Sequence, residues 1–146
     1  MANWTYNAKQ DLIEYDSICQ SLHNIPEQIR ELEEQITSLK SVRYDKTPVQ
    51  GGLSGQESRL IDYIDRKERL KINYAIARSK QERIKRGMDA LDDRERRVVE
   101  LLTIHKAAGN LLRLCHEFGY EQAQIYRIQN QALKKFTLAM FGIVDI

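Results

Sequence analysis

Ala123, Tyr126, Arg127, Asn130, Gln131 and Lys134 recur at intervals of one, three and four residues, with Gln122 just ahead of them. Successive residues of an α-helix are turned by about 100°, so this spacing gathers them on one side. Their chemistry suits nucleic acid. Arg presents a planar fork to guanine, Asn and Gln both donate to and accept from adenine, and Lys offers a point charge to phosphate. The other side of the same stretch carries Ile125, Ile128, Ala132, Leu133, Phe136 and Met140 at a clean helical period, which predicts a buried face. The rival reading is a structural three-helix core with a merely solvated polar face. Turn, spacing and face chemistry coincide, which favours DNA.

Two shorter helices must position that face. Asp92 followed three residues on by Glu95 is an N-cap signature, and Val98, Leu101 and Leu102 then form an apolar stripe ending near Lys106. Gly109 predicts a stop and Asn110 a fresh N-cap. Leu111, Leu114, Cys115 and Phe118 point a second helix inward until Gly119 ends it. A tight turn between helices needs a left-handed residue, which glycine adopts cheaply. A small residue (Cys115), a glycine four later and an aliphatic residue (Ile125) six later is the spacing of helix-turn-helix units. On this reading Gln122, Ala123, Tyr126, Arg127 and Asn130 lie nearest the bases, while Arg97, Asn110, Arg113, Lys134 and Lys135 hold phosphates. Glu121 stands where a Ser or Thr cap is common, so the third helix starts without one.

The segments Leu91-Asp-Asp-Arg-Glu-Arg-Arg-Val-Val, Arg113-Leu-Cys-His-Glu-Phe-Gly, Ile125-Tyr-Arg and Ala132-Leu-Lys-Lys-Phe136 together resemble the fourth conserved region of sigma factors. That resemblance covers about the last third of the chain and implies a helix-turn-helix that reads promoter DNA.

Composition limits the alternatives. The chain has 146 residues, with 7 Gly and 2 Pro, and lacks strand-like alternation, so an all-α fold is expected. Cys19 and Cys115 sit on apolar helical faces, as buried thiols of a reducing compartment do. No signal-like run precedes Lys9 and Asp11, and the longest apolar stretch, Phe136–Val144, is too short to span a bilayer. A cytoplasmic protein with no membrane contact is therefore expected. No nucleophile motif surrounds Ser17 or Ser21. His23, His105 and His116 have no ligand spacing, and no glycine-rich phosphate loop is present. Neither catalysis nor a cofactor is indicated. Net charge is only +2, but it is uneven: residues 1–55 hold 5 Lys/Arg against 8 Asp/Glu, and residues 56–90 hold 10 against 6. Attraction to DNA is thus confined to the later part of the chain.

Ahead of the reading unit, residues 1–8 are expected to fray, and helix begins near Ala8. Tyr15, Ile18 and Leu22, then Ile25, Ile29, Leu32, Ile36 and Leu39, follow a heptad seam broken or bent at Pro26. Pro48, Gly51, Gly52 and Gly55 make residues 44–55 a loop, with Ser54 and Glu57 as a capping box. A long helix follows, with Leu60, Tyr63, Lys67, Leu70, Tyr74, Ala77, Gln81, Ile84 and Met88 on one stripe and Ile61, Ile64 and Ile72 beside it. Gly87 is placed to end or bend it. The expected architecture is an antiparallel helical hairpin (coiled coil) over 8–90, followed by a trihelical helix-turn-helix domain over 91–146. Ile29, Leu32 and Ile36 should face Leu60, Ile64, Leu70 or Tyr74.

A coiled hairpin, the loop Lys46-Thr-Pro-Val-Gln-Gly-Gly-Leu-Ser54 with Glu57, a long basic helix and a sigma-like end resemble the ArpU/RinA-type phage transcriptional regulators. The resemblance implies control of late phage genes. The expected partner is double-stranded DNA, with the hairpin forming a homodimer or contacting RNA polymerase. Two rivals stand beside this: a non-catalytic coiled-coil interaction protein, and a small phage DNA-packaging (terminase small) subunit.

Overall fold

The structure, a computed structural model, describes residues 3–44 and 55–143. Among these every regular element is helical: α1 (Trp4–Ile13), α2 (Tyr15–Tyr44), α3 (Gly55–Asp89), α4 (Asp93–Val99), α5 (Asn110–Phe118) and α6 (Gln122–Phe141). None of the described helices is long and apolar enough to cross a membrane. The Ser54 cap and most of the 44–55 loop lie outside the described residues.

The chain packs as two units, one of Met1–Ile18 with Ser79–Ile146 and the other of Cys19–Arg78. This division by contacts differs from the boundary near residue 90 that the sequence suggests. The reason lies in α1 and in the end of α3, both of which belong to the unit built around α6. Helix α1 starts at Trp4, earlier than expected, because Asn3 Oδ1 accepts the Tyr6 N–H at 2.8 Å. Ala8 and Leu12, one turn apart, are both fully buried. The Trp4 ring lies 5.3 Å from that of Phe141. Helix α3 continues through Gly87, which does not end it, to Asp89.

At Pro26 the sequence leaves a break or one bent helix open. Helix α2 runs continuously through the proline, and the chain breaks instead at Glu14, between α1 and α2. Proline removes one backbone donor from a helix. Here the heptad seam on both sides holds the helix together despite that loss.

Helix α4 opens with the expected capping box: Asp92 Oδ1 accepts the Glu95 N–H at 2.8 Å, and Glu95 Oε1 accepts the Asp92 N–H at 3.2 Å. The helix then widens into a π-turn over Glu100–Ile104, closed by His105 N–H donating to Glu100 O at 2.7 Å. Asn110 is not the N-cap of α5. Gly109 takes that place in a left-handed conformation, φ 84°, and the Asn110 amide turns back to donate to Leu101 O at 2.8 Å and His105 O at 2.9 Å. Carbonyls at the end of a helix need such partners.

In the second unit Ile25, Leu32 and Ile36 of α2 and Leu60 of α3 are buried. Tyr63, Lys67, Leu70, Tyr74 and Ala77 are partly shielded, which matches the predicted stripe. Lys67 Nζ reaches Glu33 Oε1 of α2 at 3.3 Å. Ile64 is the exception among the expected seam residues. It is exposed, because Tyr63 and Lys67 occupy the covered side at its level.

Candidate nucleic-acid interface

The helices α4 to α6 are built on one apolar cluster. Val98, Leu101, Leu114, Ile125 and Ile128 are buried together, with Leu102, Leu111, Cys115, Phe118 and Tyr120 packed around them. These residues come from α4, the π-turn, α5 and α6, so one core sets the mutual placement of all four. Between α5 and α6 Gly119 is left-handed, φ 69°, and both its N–H and that of Tyr120 donate to Cys115 O. This is the expected turn. Helix α6 then starts at Gln122, and Glu121 makes no side-chain capping bond.

Beyond the turn the two faces of α6 separate as its period requires. Ile125, Ile128, Ala132, Leu133, Phe136 and Met140 are buried, with Thr137 among them bonded to Leu133 O at 2.6 Å. Gln122, Ala123, Tyr126, Arg127, Asn130, Gln131 and Lys134 are exposed. Tyr126 leaves 49 % of its surface open despite its large ring. Arg127 Nη1 donates to Gln124 Oε1 at 3.3 Å, one turn back, which holds the guanidinium along the helix. All five residues assigned to base reading thus share one open face.

The phosphate set divides. Arg113 on α5 and Lys134 on α6 are exposed. The other three are engaged within the protein. Arg97 is half-buried, with its guanidinium on Glu117 at 3.3 Å and on Glu100 at 3.9 Å. Lys135 Nζ lies 3.0 Å from Oε1 of Glu95, a carboxylate only 3 % exposed. Asn110 donates its amide hydrogens to two carbonyls, as described above. These three position the unit; Arg113 and Lys134 present charge outward.

Sequence reasoning missed Arg94. Its Nη1 donates to the Tyr120 hydroxyl at 3.0 Å, and its guanidinium carbon lies 5.8 Å from the centre of that ring, which in turn stacks near Phe118. The hydrogen bond to Tyr120 raises the Arg94 pKa further, so a fixed positive charge sits beside the turn. No local pattern announces it, since the partners are 26 positions apart. At the start of α4 the Glu95 backbone N–H holds the Asp92 carboxyl below its ordinary value.

Among the described residues no group of three or more His, Cys, Asp or Glu side chains is placed to hold a metal ion. Cys19 and Cys115 are half-buried and are not joined in a disulfide. Comparison with family models, with curated proteins and with solved structures gives no match for the chain.

Proposed function

We infer that the chain is a sequence-specific, double-stranded-DNA-binding transcriptional regulator of phage or prophage late genes, acting in the cytoplasm without catalysis. The observation that carries this is the division of α6. Its one face is locked into the core behind a left-handed glycine turn, while the other offers Gln122, Tyr126, Arg127 and Asn130 to solvent. A rigid helix with amide and guanidinium groups on its open face is what major-groove reading requires. Arg113 and Lys134 lie at hand for the phosphates on either side. The sigma-like and ArpU/RinA-like segments supply the reading's transcriptional context, and RNA polymerase is the partner they imply for the helices ahead of α4.

The test is selection of DNA fragments by the purified protein, followed by fluorescence anisotropy on the selected and a scrambled duplex at several salt concentrations. Preference for the selected duplex, with affinity falling steeply as salt rises, is the expected result. Equal, salt-insensitive binding to both duplexes, or none, overturns it and leaves the coiled-coil interaction protein. A large ring in solution would favour the packaging subunit instead.

A further inference from the structure

Helix α3 has a second apolar face. Ile61, Ile64, Ile72 and Ile76 are 54, 41, 62 and 53 % exposed. At about 100° per residue they fall within an arc of roughly 120°, opposite Leu70 and the shielded stripe. Four large aliphatic side chains on one open face of a soluble helix are unfavourable unless something covers them.

Their spacing indicates what does. Ile64 and Ile72 lie four residues either side of Glu68, and Ile61 and Ala75 lie seven either side, with Ile76 next to Ala75. The apolar pattern is therefore nearly its own mirror image about Glu68. An isologous contact demands this symmetry, because residue i must meet j where j meets i. A face evolved for an unrelated partner has no such requirement.

We propose that this face binds a second copy of the chain, with the two α3 helices antiparallel and the two-fold axis beside Glu68. Ile64 then packs on Ile72 of the second copy, and Ile61 on its Ala75 and Ile76. The charges agree with that direction. Asp65 lies on the same edge of the contact as Arg69 of the second copy, about 3 Å away along the helix axes, and vice versa. Within one chain Asp65 and Arg69 form an exposed pair at 3.1 Å, and Lys71 lies 3.7 Å from Glu68. The two Glu68 carboxylates approach at the axis, each beside its own Lys71.

The proposal is independent of DNA binding, and its test reads mass and cross-linking only. Sedimentation of the full chain should give twice the 17.1 kDa chain mass. The double variant Ile64→Lys, Ile72→Lys should give the single-chain mass with unchanged helical circular dichroism. In a Cys19→Ala, Cys115→Ala background, Glu68→Cys should oxidise to a covalent dimer, since its counterpart lies across the axis. Ile61→Cys should not, because its counterpart is about 20 Å away along an antiparallel pair. A monomeric wild type overturns the proposal. So does a dimer indifferent to the two lysines. Equal cross-linking at both cysteines refutes the antiparallel register, and cross-linking at neither assigns any dimer to another surface.

Discussion

Gly87 of α3 lies directly under the ring of Phe136 on α6. A Cβ added at Gly87 would stand 2.6 Å from Phe136 Cδ2 and Cε2 and 3.1 Å from Met140 Cγ. Phe136 is fully buried, so its ring cannot swing into solvent. Exchanging a mid-helix glycine for alanine ordinarily stabilises by about 1 kcal/mol. Here the contact reverses the sign. Gly87→Ala should destabilise by about 1–3 kcal/mol, the usual range for overpacking, as measured by urea unfolding. A stabilised variant would show that the two helices part easily.

Lys134 and Lys135 are adjacent, yet they should behave differently. Lys134→Ala should weaken all DNA sequences alike and lower the salt slope by about one unit. Lys135→Ala strips a cationic partner from a buried carboxylate, Glu95. It should cost about 1–3 kcal/mol of folding stability and change the salt slope less than Lys134→Ala does. Denaturation and anisotropy on both variants separate the two effects.

Arg127 points from the open face of α6. If it reaches a guanine, Arg127→Ala should weaken the selected site by about 1–3 kcal/mol and relax preference at one base pair. Anisotropy on single-base variants of the selected duplex reads this directly. Undiminished discrimination would remove Arg127 from the base-reading set.

Asn110→Ala leaves Leu101 O and His105 O without their donors. Because Leu101 is buried, the expected cost is about 1–3 kcal/mol in urea unfolding. Asn110→Asp should be worse, since it aims a carboxylate at the same carbonyls.

Asp92 gives a pH signature. Its pKa is lowered in the folded state, so its stabilising effect is complete above the unfolded value of about 3.9 and is lost as pH falls through the folded value. Asp92→Ala should therefore lower Tm near neutrality, with the gap to wild type closing at the acid end below about pH 4. A gap independent of pH would mean that the capping bond contributes no linked stability.

What the sequence disclosed was local. The Asp92–Glu95 box, the Gly119 turn and the two faces of α6 depend on residues within one or two turns of each other, so their spacing announces them. The all-helical fold was legible for the same reason. Other features rest on distant partners: Arg97 with Glu117, Lys135 with Glu95, and Asp16 with His105 at 2.8 Å are 20, 40 and 89 positions apart. No periodicity encodes them. Hence nothing in the spacing of Arg97, Lys135 and Asn110 announces the internal partners that the fold gives each of them. Pro26 left a break or one continuous helix open in the sequence, because the loss of a single hydrogen bond does not decide between them, and α2 is continuous. The open row Ile61, Ile64, Ile72 was visible beside the seam, but not that Ile64 belongs to it rather than to the seam.

The unit around α6 takes its first helix from one end of the described chain and its last from the other, with Cys19–Arg78 between them in sequence. During synthesis, α1 leaves the ribosome long before α6 exists to cover Ala8 and Leu12. The intervening segment, whose partners are nearer in sequence, can pair first and bring the two ends closer, shortening the loop that must close. Helix α6 is then the final piece set into place. A nascent chain halted before Gln122 would be left with Ala8 and Leu12 of α1 short of their cover, so the unit closes only once α6 is made.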